Sequence, residues 1–284
     1  NSNLVAFSTT LRQAMPCLPS LLQAAGYRTV ASHPNSADFW ARDRVYQWVG
    51  FERYLAVNAF ELDDMDGAFL ADASLFRQQP GLLAASDDGR PVFNYVVTLG
   101  SHFPYGRDVG RRPDRVEVSP SVPLLAAYAN AVAYTTEAFM DWVEATLEAD
   151  PDALIVAFGD HAPVLGSHPD PLERGGLGIR SDLPKRAVIE RYRALASTPL
   201  LVINGRQGVV DVGEPPLYAL PGLILGWLGR DDLRLPQDLP IFRPGEGLRP
   251  RDDFVLRSFL GSLLVRERGQ WELCPMAPPA FSGR

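Results

Sequence analysis

The stretch Ala153–Pro163 reads ALIVAFGDHAP and joins a short apolar run directly to an acidic residue and a histidine. Its first part, 153–158, is almost free of polar residues, as in a strand buried on both faces of a parallel sheet. The runs PVFNYVVTL (91–99) and LLVI (200–203) have the same character. Between the runs at 91–99 and 153–158, the segment from about Pro123 to Glu148 has apolar residues at helical spacing. Strands that alternate with helices predict an α/β sandwich.

Two further elements precede these runs, and a long polar segment follows them. Leu18–Ala25 predicts a short helix, and Arg28–Ser32 predicts a strand directly after it. The segment Pro163–Arg186 is rich in Gly, Pro and charge, which indicates a long loop over one end of the sheet. We expect one domain over residues 1–229, with residues 230–284 as a C-terminal subregion of the same domain.

Composition limits the classes of partner. The chain has 284 residues, 46% of them hydrophobic, and 27 Lys and Arg against 34 Asp and Glu give a net charge of −7. The length and the hydrophobic content fit a compact domain with a full core. The negative net charge argues against a broad surface that binds nucleic acid. No run of about 18 apolar residues is present, so no membrane-spanning helix is predicted. Glycine-rich nucleotide-binding loops are absent from the sequence as well.

The four histidines of the chain are His33, His102, His161 and His168. The first three lie within a few residues of the end of a predicted strand. Ligand sites in open α/β sheets collect beyond the carboxyl ends of the strands, so these three histidines are expected to meet at one edge. The alternative is that histidines are simply tolerated in the turns that follow strands.

The sharpest candidate for metal binding is the pair Asp160 and His161. A carboxylate and an imidazole at the tip of a buried strand can both face one divalent cation, and this donor set suits zinc or manganese. The alternative is a hydrogen bond between the two side chains that caps a loop. Two ligands alone do not distinguish these interpretations.

A second cluster, HPNSADFWARD, spans residues 33–43. The Arg42 guanidinium can bind a phosphate or sulfate through two N–H groups, and the Trp40 indole can form an apolar wall for a small alcohol. The alternative places Trp40 in the core and pairs Arg42 with Asp38 or Asp43 on the surface.

These segments together resemble the sulfatase-like branch of the alkaline phosphatase superfamily, and within it the lipoteichoic acid synthase and phosphoglycerol transferase family. The similarity covers about three quarters of the chain and is carried by Leu18–Tyr54, Leu99–Tyr105, Phe158–Gly166 and Ser197–Gly205. It implies an alkaline phosphatase-like three-layer α/β sandwich with a mostly parallel central sheet.

The resemblance also implies roles for individual residues. Asp160 and His161 match the residues that bind the catalytic divalent metal, one manganese or zinc ion. His102 matches a histidine beside the transferred phosphate. The residues matching those that contact the phosphoglycerol headgroup are His33, Trp40 and Arg42. His168 is similar to a loop histidine found in some relatives, or is a solvated loop residue.

The family's threonine nucleophile and a further acidic metal ligand should precede His33 by some tens of residues, so we expect both upstream of Asn1. Cys17 resembles the start of the sulfatase C-x-P-S-R signature, but Leu21 stands at the arginine position. A small apolar residue ahead of a helix is the simpler interpretation of Cys17.

The expected function is metal-dependent transfer or hydrolysis of phosphodiester-linked headgroups, such as phosphoglycerol or phosphoethanolamine. The implied donor is a phospholipid and the implied acceptor a cell-envelope glycan or lipid. The implied location is the periplasmic or extracellular face of the bacterial cytoplasmic membrane, with a membrane segment preceding the catalytic domain. The alternatives are a sulfatase-type hydrolase and a binding or regulatory domain that lacks the nucleophile.

Overall fold

The computed structural model describes residues 14, 16–118, 122–163, 197–233, 264–267 and 270–273. The predicted loop Pro163–Arg186, apart from its first residue, lies outside the described residues, and so does His168. Few of residues 230–284 are described, so the division of the chain after residue 229 stays a prediction.

The described residues form both β-strands and α-helices. The strands are β1 (Arg28–Ser32), β2 (Arg53–Leu55), β3 (Met65–Asp66), β4 (Phe69–Leu70), β5 (Val92–Val96), β6 (Leu154–Phe158), β7 (Leu200–Asn204), β8 (Leu264–Glu267) and β9 (Gln270–Leu273). The α-helices are α1 (Leu18–Ala24), α2 (Arg42–Trp48), α3 (Asp72–Ala84), α4 (Pro123–Ala149) and α5 (Leu220–Trp227).

Strand β1 is the centre of a parallel sheet in the order β2-β1-β5. All five of its residues are buried, so helices must cover both faces. On one face Val30 lies in a core cluster with Leu75 of α3. On the other face Ala31 lies in a cluster with Tyr46 of α2 and with Phe51. This arrangement of helix, sheet and helix confirms the predicted α/β class.

The predicted strands are found with small changes at their ends, and Arg28–Ser32 is found as predicted. Strand β7 pairs with β6 in the antiparallel direction, with Val156 opposite Val202. An apolar run indicates burial but carries no information on strand direction, which is why the sequence did not predict this reversal. Helix α4 covers this pair, because Val143 packs against Ile155 and Ile203.

Among the α-helices formed by residues 16–118, 122–163 and 197–233, we find none with both the length and the apolar character needed to cross a bilayer.

Candidate functional site

The predicted site residues follow the carboxyl ends of the strands. His33 directly follows β1, and His102 lies on the segment after β5. These two strands run parallel, and the Val97 amide donates to the Ser32 carbonyl at 2.9 Å, so both segments leave the sheet at the same edge. Asp160 and His161 come two and three residues after the end of β6.

His33 is held rigidly and is only 2% exposed. Its amide donates to the Leu55 carbonyl at 3.0 Å, and its Nδ1 lies 3.2 Å from the Val97 carbonyl oxygen. A carbonyl can only accept, so Nδ1 carries the proton and Nε2 keeps a free lone pair. Burial, followed by the positive charge of Arg42, lowers the pKa of His33 to about 4. His33 is therefore a neutral hydrogen-bond acceptor at neutral pH.

This lowered pKa predicts a pH-dependent contribution to stability. Between its usual value of 6.5 and about 4, the unfolded chain binds a proton at His33 that the folded protein excludes. The free energy of unfolding should therefore fall as the pH is lowered through this window. In His33→Gln this contribution should be missing. Denaturant unfolding at several pH values measures the difference, and parallel curves for the two proteins would contradict the assignment.

The burial of Arg42 and Trp40 is the reverse of the alternative in which Trp40 lies in the core and Arg42 on the surface. Arg42 is 5% exposed, whereas Trp40 is 42% exposed. The Arg42 guanidinium carbon lies 4.8 Å from the Trp40 ring centroid and 5.6 Å from that of Phe39. The interpretation with a core tryptophan and a surface arginine is therefore wrong.

The backbone before Arg42 explains this placement. Residues Phe39–Ala41 form a 3-10 turn in which Trp40 has φ 59° and Ala41 has φ 55°. Left-handed conformations cost non-glycine residues about 1 kcal/mol each, and such strain is common at functional sites. The turn leaves the Trp40 ring exposed above a guanidinium that enters the protein at the start of α2.

The Arg42 side chain lacks a full set of partners. One terminal nitrogen, Nη1, donates to the Phe39 carbonyl at 3.5 Å, a long hydrogen bond. The Nε atom is buried, and within the described part of the chain it has no hydrogen-bond partner. The same residues supply no carboxylate within ion-pair distance of this guanidinium.

Three tyrosines that were not predicted as site residues lie where the charge of Arg42 acts on their pKa values. Tyr54 and Tyr95 flank Ala31 in the sheet, and the Tyr46 ring lies edge-on to both, with centroids 4.8 and 6.4 Å away. Burial raises the pKa of Tyr54 to about 12, and its hydroxyl has no partner among the described residues. Side chains alternate between the two faces of a strand, so the positions of Tyr54 in β2 and Tyr95 in β5 could have indicated that both lie beside Ala31.

The charges of both Arg42 and Asp160 act on the pKa of Tyr95. Burial raises the pKa of Tyr95, the negative charge of Asp160 raises it further, and the positive charge of Arg42 opposes both effects. The hydroxyl therefore lies within electrostatic reach of both side chains. Among the described residues β6 pairs with β7 and not with the β2-β1-β5 sheet, so the meeting of the two predicted clusters at one edge stays a prediction.

Asp160 and His161 form an exposed pair. The His161 Nε2 atom lies 3.6 Å from the Asp160 Oδ2 atom, and the His161 amide donates to Asp160 Oδ1 at 2.9 Å. Such a carboxylate and imidazole fit a divalent cation of the zinc or manganese type, but they supply only two donors. In the described ranges we find no group of three or more His, Cys, Asp and Glu side chains that could hold a metal ion.

His102 is exposed on the segment after β5. Its amide donates to the Leu99 carbonyl at 3.0 Å, and its ring lies edge-on to Phe69 at 5.7 Å. The Nδ1 atom is 2.6 Å from the Phe103 carbonyl oxygen, and no hydrogen bond to Nε2 is found among the described residues. His102 makes a minor contribution to the lowered pKa of His33, after burial and the charge of Arg42.

Cys17 has the properties of a structural residue. It stands immediately before α1, and its amide donates to the Ser20 hydroxyl at 2.8 Å. Burial raises the pKa of Cys17 to about 11, so its sulfur stays protonated at neutral pH. These observations favour the interpretation of Cys17 as a small apolar residue ahead of a helix.

Comparison with known proteins finds both sequence relatives and a structural match. The Sulfatase family model matches residues 1–203. A Rhizobium meliloti protein named for cyclic beta-1,2-glucan modification is 27% identical over 214 residues, which are 72% of this chain and 32% of that protein. Lipoteichoic acid synthase 1 of Bacillus subtilis is 23% identical over 168 residues, 57% of this chain and 26% of the synthase.

The crystal structure of the lipoteichoic acid synthase LtaP from Listeria monocytogenes matches the fold. The TM-score is 0.57 at 20% identity, over 70% of this chain and 48% of LtaP, which confirms the expected alkaline phosphatase-like fold. The chain spans a third or less of the length of the two sequence relatives. Because the family model matches well over half of its residues, the chain belongs to the sulfatase family, with lipoteichoic acid synthases among its relatives.

Proposed function

We propose that this chain is the metal-dependent catalytic part of a transferase or hydrolase that acts on phosphodiester-linked headgroups. The observation that carries the proposal is Arg42, a buried guanidinium whose Nε has no partner among the described residues. A buried cation without a counter-ion is costly, and an anionic ligand oxygen would remove that cost. The ligand site is therefore built around a negative charge.

The surroundings of Arg42 favour a small polar headgroup attached to that anion. The exposed face of Trp40 offers an apolar wall against which the carbons of a glycerol or ethanolamine group can pack. The neutral His33 has a lone pair on Nε2 that can accept a hydrogen bond from a headgroup hydroxyl. His102 would then lie beside the phosphate, where its free Nε2 can donate to or accept from a phosphate oxygen.

Asp160 and His161 are proposed to hold the divalent metal, manganese or zinc. When bound, such a cation supplies Lewis-acid stabilisation of the negative charge that develops on the transferred phosphoryl group. Asp160 would contribute a carboxylate oxygen and His161 an imidazole nitrogen. The threonine nucleophile and the remaining acidic ligand are proposed to lie upstream of Asn1, as the family resemblance implies.

The proposed partners follow from the relatives. A lipoteichoic acid synthase and a protein named for glucan modification suggest a phospholipid-derived donor and a cell-envelope glycan or lipid acceptor. The proposed location is the periplasmic or extracellular face of the cytoplasmic membrane, reached through a membrane segment outside this chain. The net charge of −7 argues against nucleic acid as a partner.

A direct test compares two ester classes in protein that includes the segment upstream of Asn1. With manganese or zinc, we expect release of p-nitrophenol from bis(p-nitrophenyl) phosphate, and suppression of this release by a chelator. Turnover of p-nitrophenyl sulfate alone would instead establish the sulfatase-type hydrolase. Binding of glycerol phosphate without turnover of either ester would establish a domain that lacks the nucleophile.

A further inference from the structure

Asp72 is a buried carboxylate that none of the proposed roles explains. It begins helix α3 and is 3% exposed. Burial raises its pKa, while hydrogen bonds from Thr135, Leu99 and Gly100 act in the opposite direction. A buried acidic side chain is costly unless its oxygens are satisfied, so its contacts indicate what it does.

The contacts of Asp72 converge on the segment that carries His102. The amide of Leu99 donates to Oδ1 at 3.2 Å, and the amide of Gly100 donates to Oδ1 at 3.0 Å and to Oδ2 at 3.2 Å. The Thr135 hydroxyl of α4 donates to Oδ2 at 2.8 Å. A single carboxylate therefore joins two helices to the start of one loop.

Gly100 makes this close approach possible. A Cβ atom at this position would collide with the Asp72 carboxylate and the Thr135 hydroxyl. The amide of His102 donates to the Leu99 carbonyl and closes a turn. Leu99 therefore binds Asp72 through its amide and His102 through its carbonyl. Only one hydrogen-bonded turn separates the carboxylate from His102.

The far end of the same loop is fixed by a second acidic contact. The Asp108 amide donates to Asp66 Oδ1 at 2.9 Å, and Arg112 binds Asp66 and Asp64 through its Nε and Nη2 atoms at 2.9 and 2.8 Å. Asp64 and Asp66 belong to the segment just before α3. The loop is thus held at both ends, and Asp72 holds the end nearer to His102.

We propose that Asp72 is a positioning residue for His102. Through the amides of Leu99 and Gly100 it fixes the turn that presents the imidazole, and Thr135 fixes the orientation of the carboxylate. The kinetic part of this proposal rests on the proposed function of His102 beside the transferred phosphate. The structural part concerns the placement of the imidazole and does not depend on any activity.

The kinetic test replaces Asp72 and Thr135 with side chains that keep some or none of their hydrogen bonds. In Asp72→Ala we expect kcat to fall about 100-fold with KM within about threefold, because a displacement near 1 Å can cost that much. Asp72→Asn keeps an acceptor for both amides and should recover kcat to within about tenfold of the wild-type enzyme. Thr135→Val should lower kcat about tenfold. Asp63→Asn is the matched control, since Asp63 pairs with Ser74 and Arg77 near the start of the same helix.

The structural test follows the four histidines by NMR after labelling at the imidazole Cε1 position. In Asp72→Asn and Thr135→Val the signal of His102, assigned through His102→Gln, should move while the other three stay in place. An unmoved His102 signal in both folded variants, or equal movement of all four, would overturn the proposal. If Asp72→Ala does not fold, these two variants still decide it. Absence of wild-type turnover would contradict the proposed function without affecting this measurement.

Discussion

Asp160→Ala is expected to abolish both divalent-metal binding and phosphodiesterase activity. Within the part of the chain that the structure describes, Asp160 and His161 are the two candidate donors after β6, and Asp160 supplies the carboxylate oxygen. Loss of a Lewis acid removes several kcal/mol of transition-state stabilisation, so activity should fall about 1000-fold or more. Equilibrium dialysis followed by elemental analysis measures the metal, and hydrolysis of bis(p-nitrophenyl) phosphate measures the activity. Both need protein that includes the segment upstream of Asn1.

Asp152 provides a matched control on the same part of the molecule. It precedes β6, whereas Asp160 follows it, and each carboxylate side chain is 77% exposed. Asp152 faces Arg206, whose Nε is 3.5 Å from its Oδ1 atom. Asp152→Ala should keep metal content and activity. Unchanged metal content in Asp160→Ala would refute the assignment of Asp160 as a ligand.

The fold could be predicted where a strand coincides with a short apolar run in the sequence. Strands β5, β6 and β7 were identified in this way to within a few residues, whereas β1 was predicted from its place after a short helix and a turn. Helix α3 was not predicted, because Pro80 and Gly81 interrupt its helical pattern. Packing of Leu75 and Phe76 in the core stabilises it against this local preference. Tertiary contacts of this kind cannot be obtained from a single sequence.

The site could be predicted in part for a similar reason. Strand ends mark the edge where ligands collect, so His33, His102, Asp160 and His161 could be proposed as site residues from their positions after predicted strands, and that assignment stays a prediction. The burial of Arg42 was not predictable, because it depends on a left-handed turn at Trp40. Neither tryptophan nor alanine favours that conformation, so the sequence contains no local signal for the turn.

Asp72 illustrates a third limit of prediction from sequence. Its partners lie 27 and 28 residues away in the loop and 63 residues away in α4. No spacing rule connects positions so far apart. The contact becomes visible only when the sheet places the loop after β5 against the start of α3. A glycine at position 100 is the one local sign that something approaches closely there.

Arg42→Ala is expected to weaken substrate binding and to leave the metal in place. A charge-assisted hydrogen bond contributes about 1.5 to 3 kcal/mol, which corresponds to an increase of roughly 10- to 100-fold in KM for a phosphodiester. Loss of the guanidinium would also remove its cation–π contact with Trp40 at 4.8 Å. Steady-state kinetics measures KM, and elemental analysis of the same protein measures the metal.

Arg42→Lys separates charge from geometry at this position. Lysine keeps the positive charge but cannot present two parallel N–H groups, so KM should remain raised even though the charge is restored. Arg44 lies on the same helix with an exposed side chain, and Arg44→Ala should leave KM unchanged. Loss of metal in Arg42→Ala would mean that the guanidinium supports the fold of the whole edge. A wild-type KM in Arg42→Lys would mean that the site recognises the charge of the anion and not its geometry.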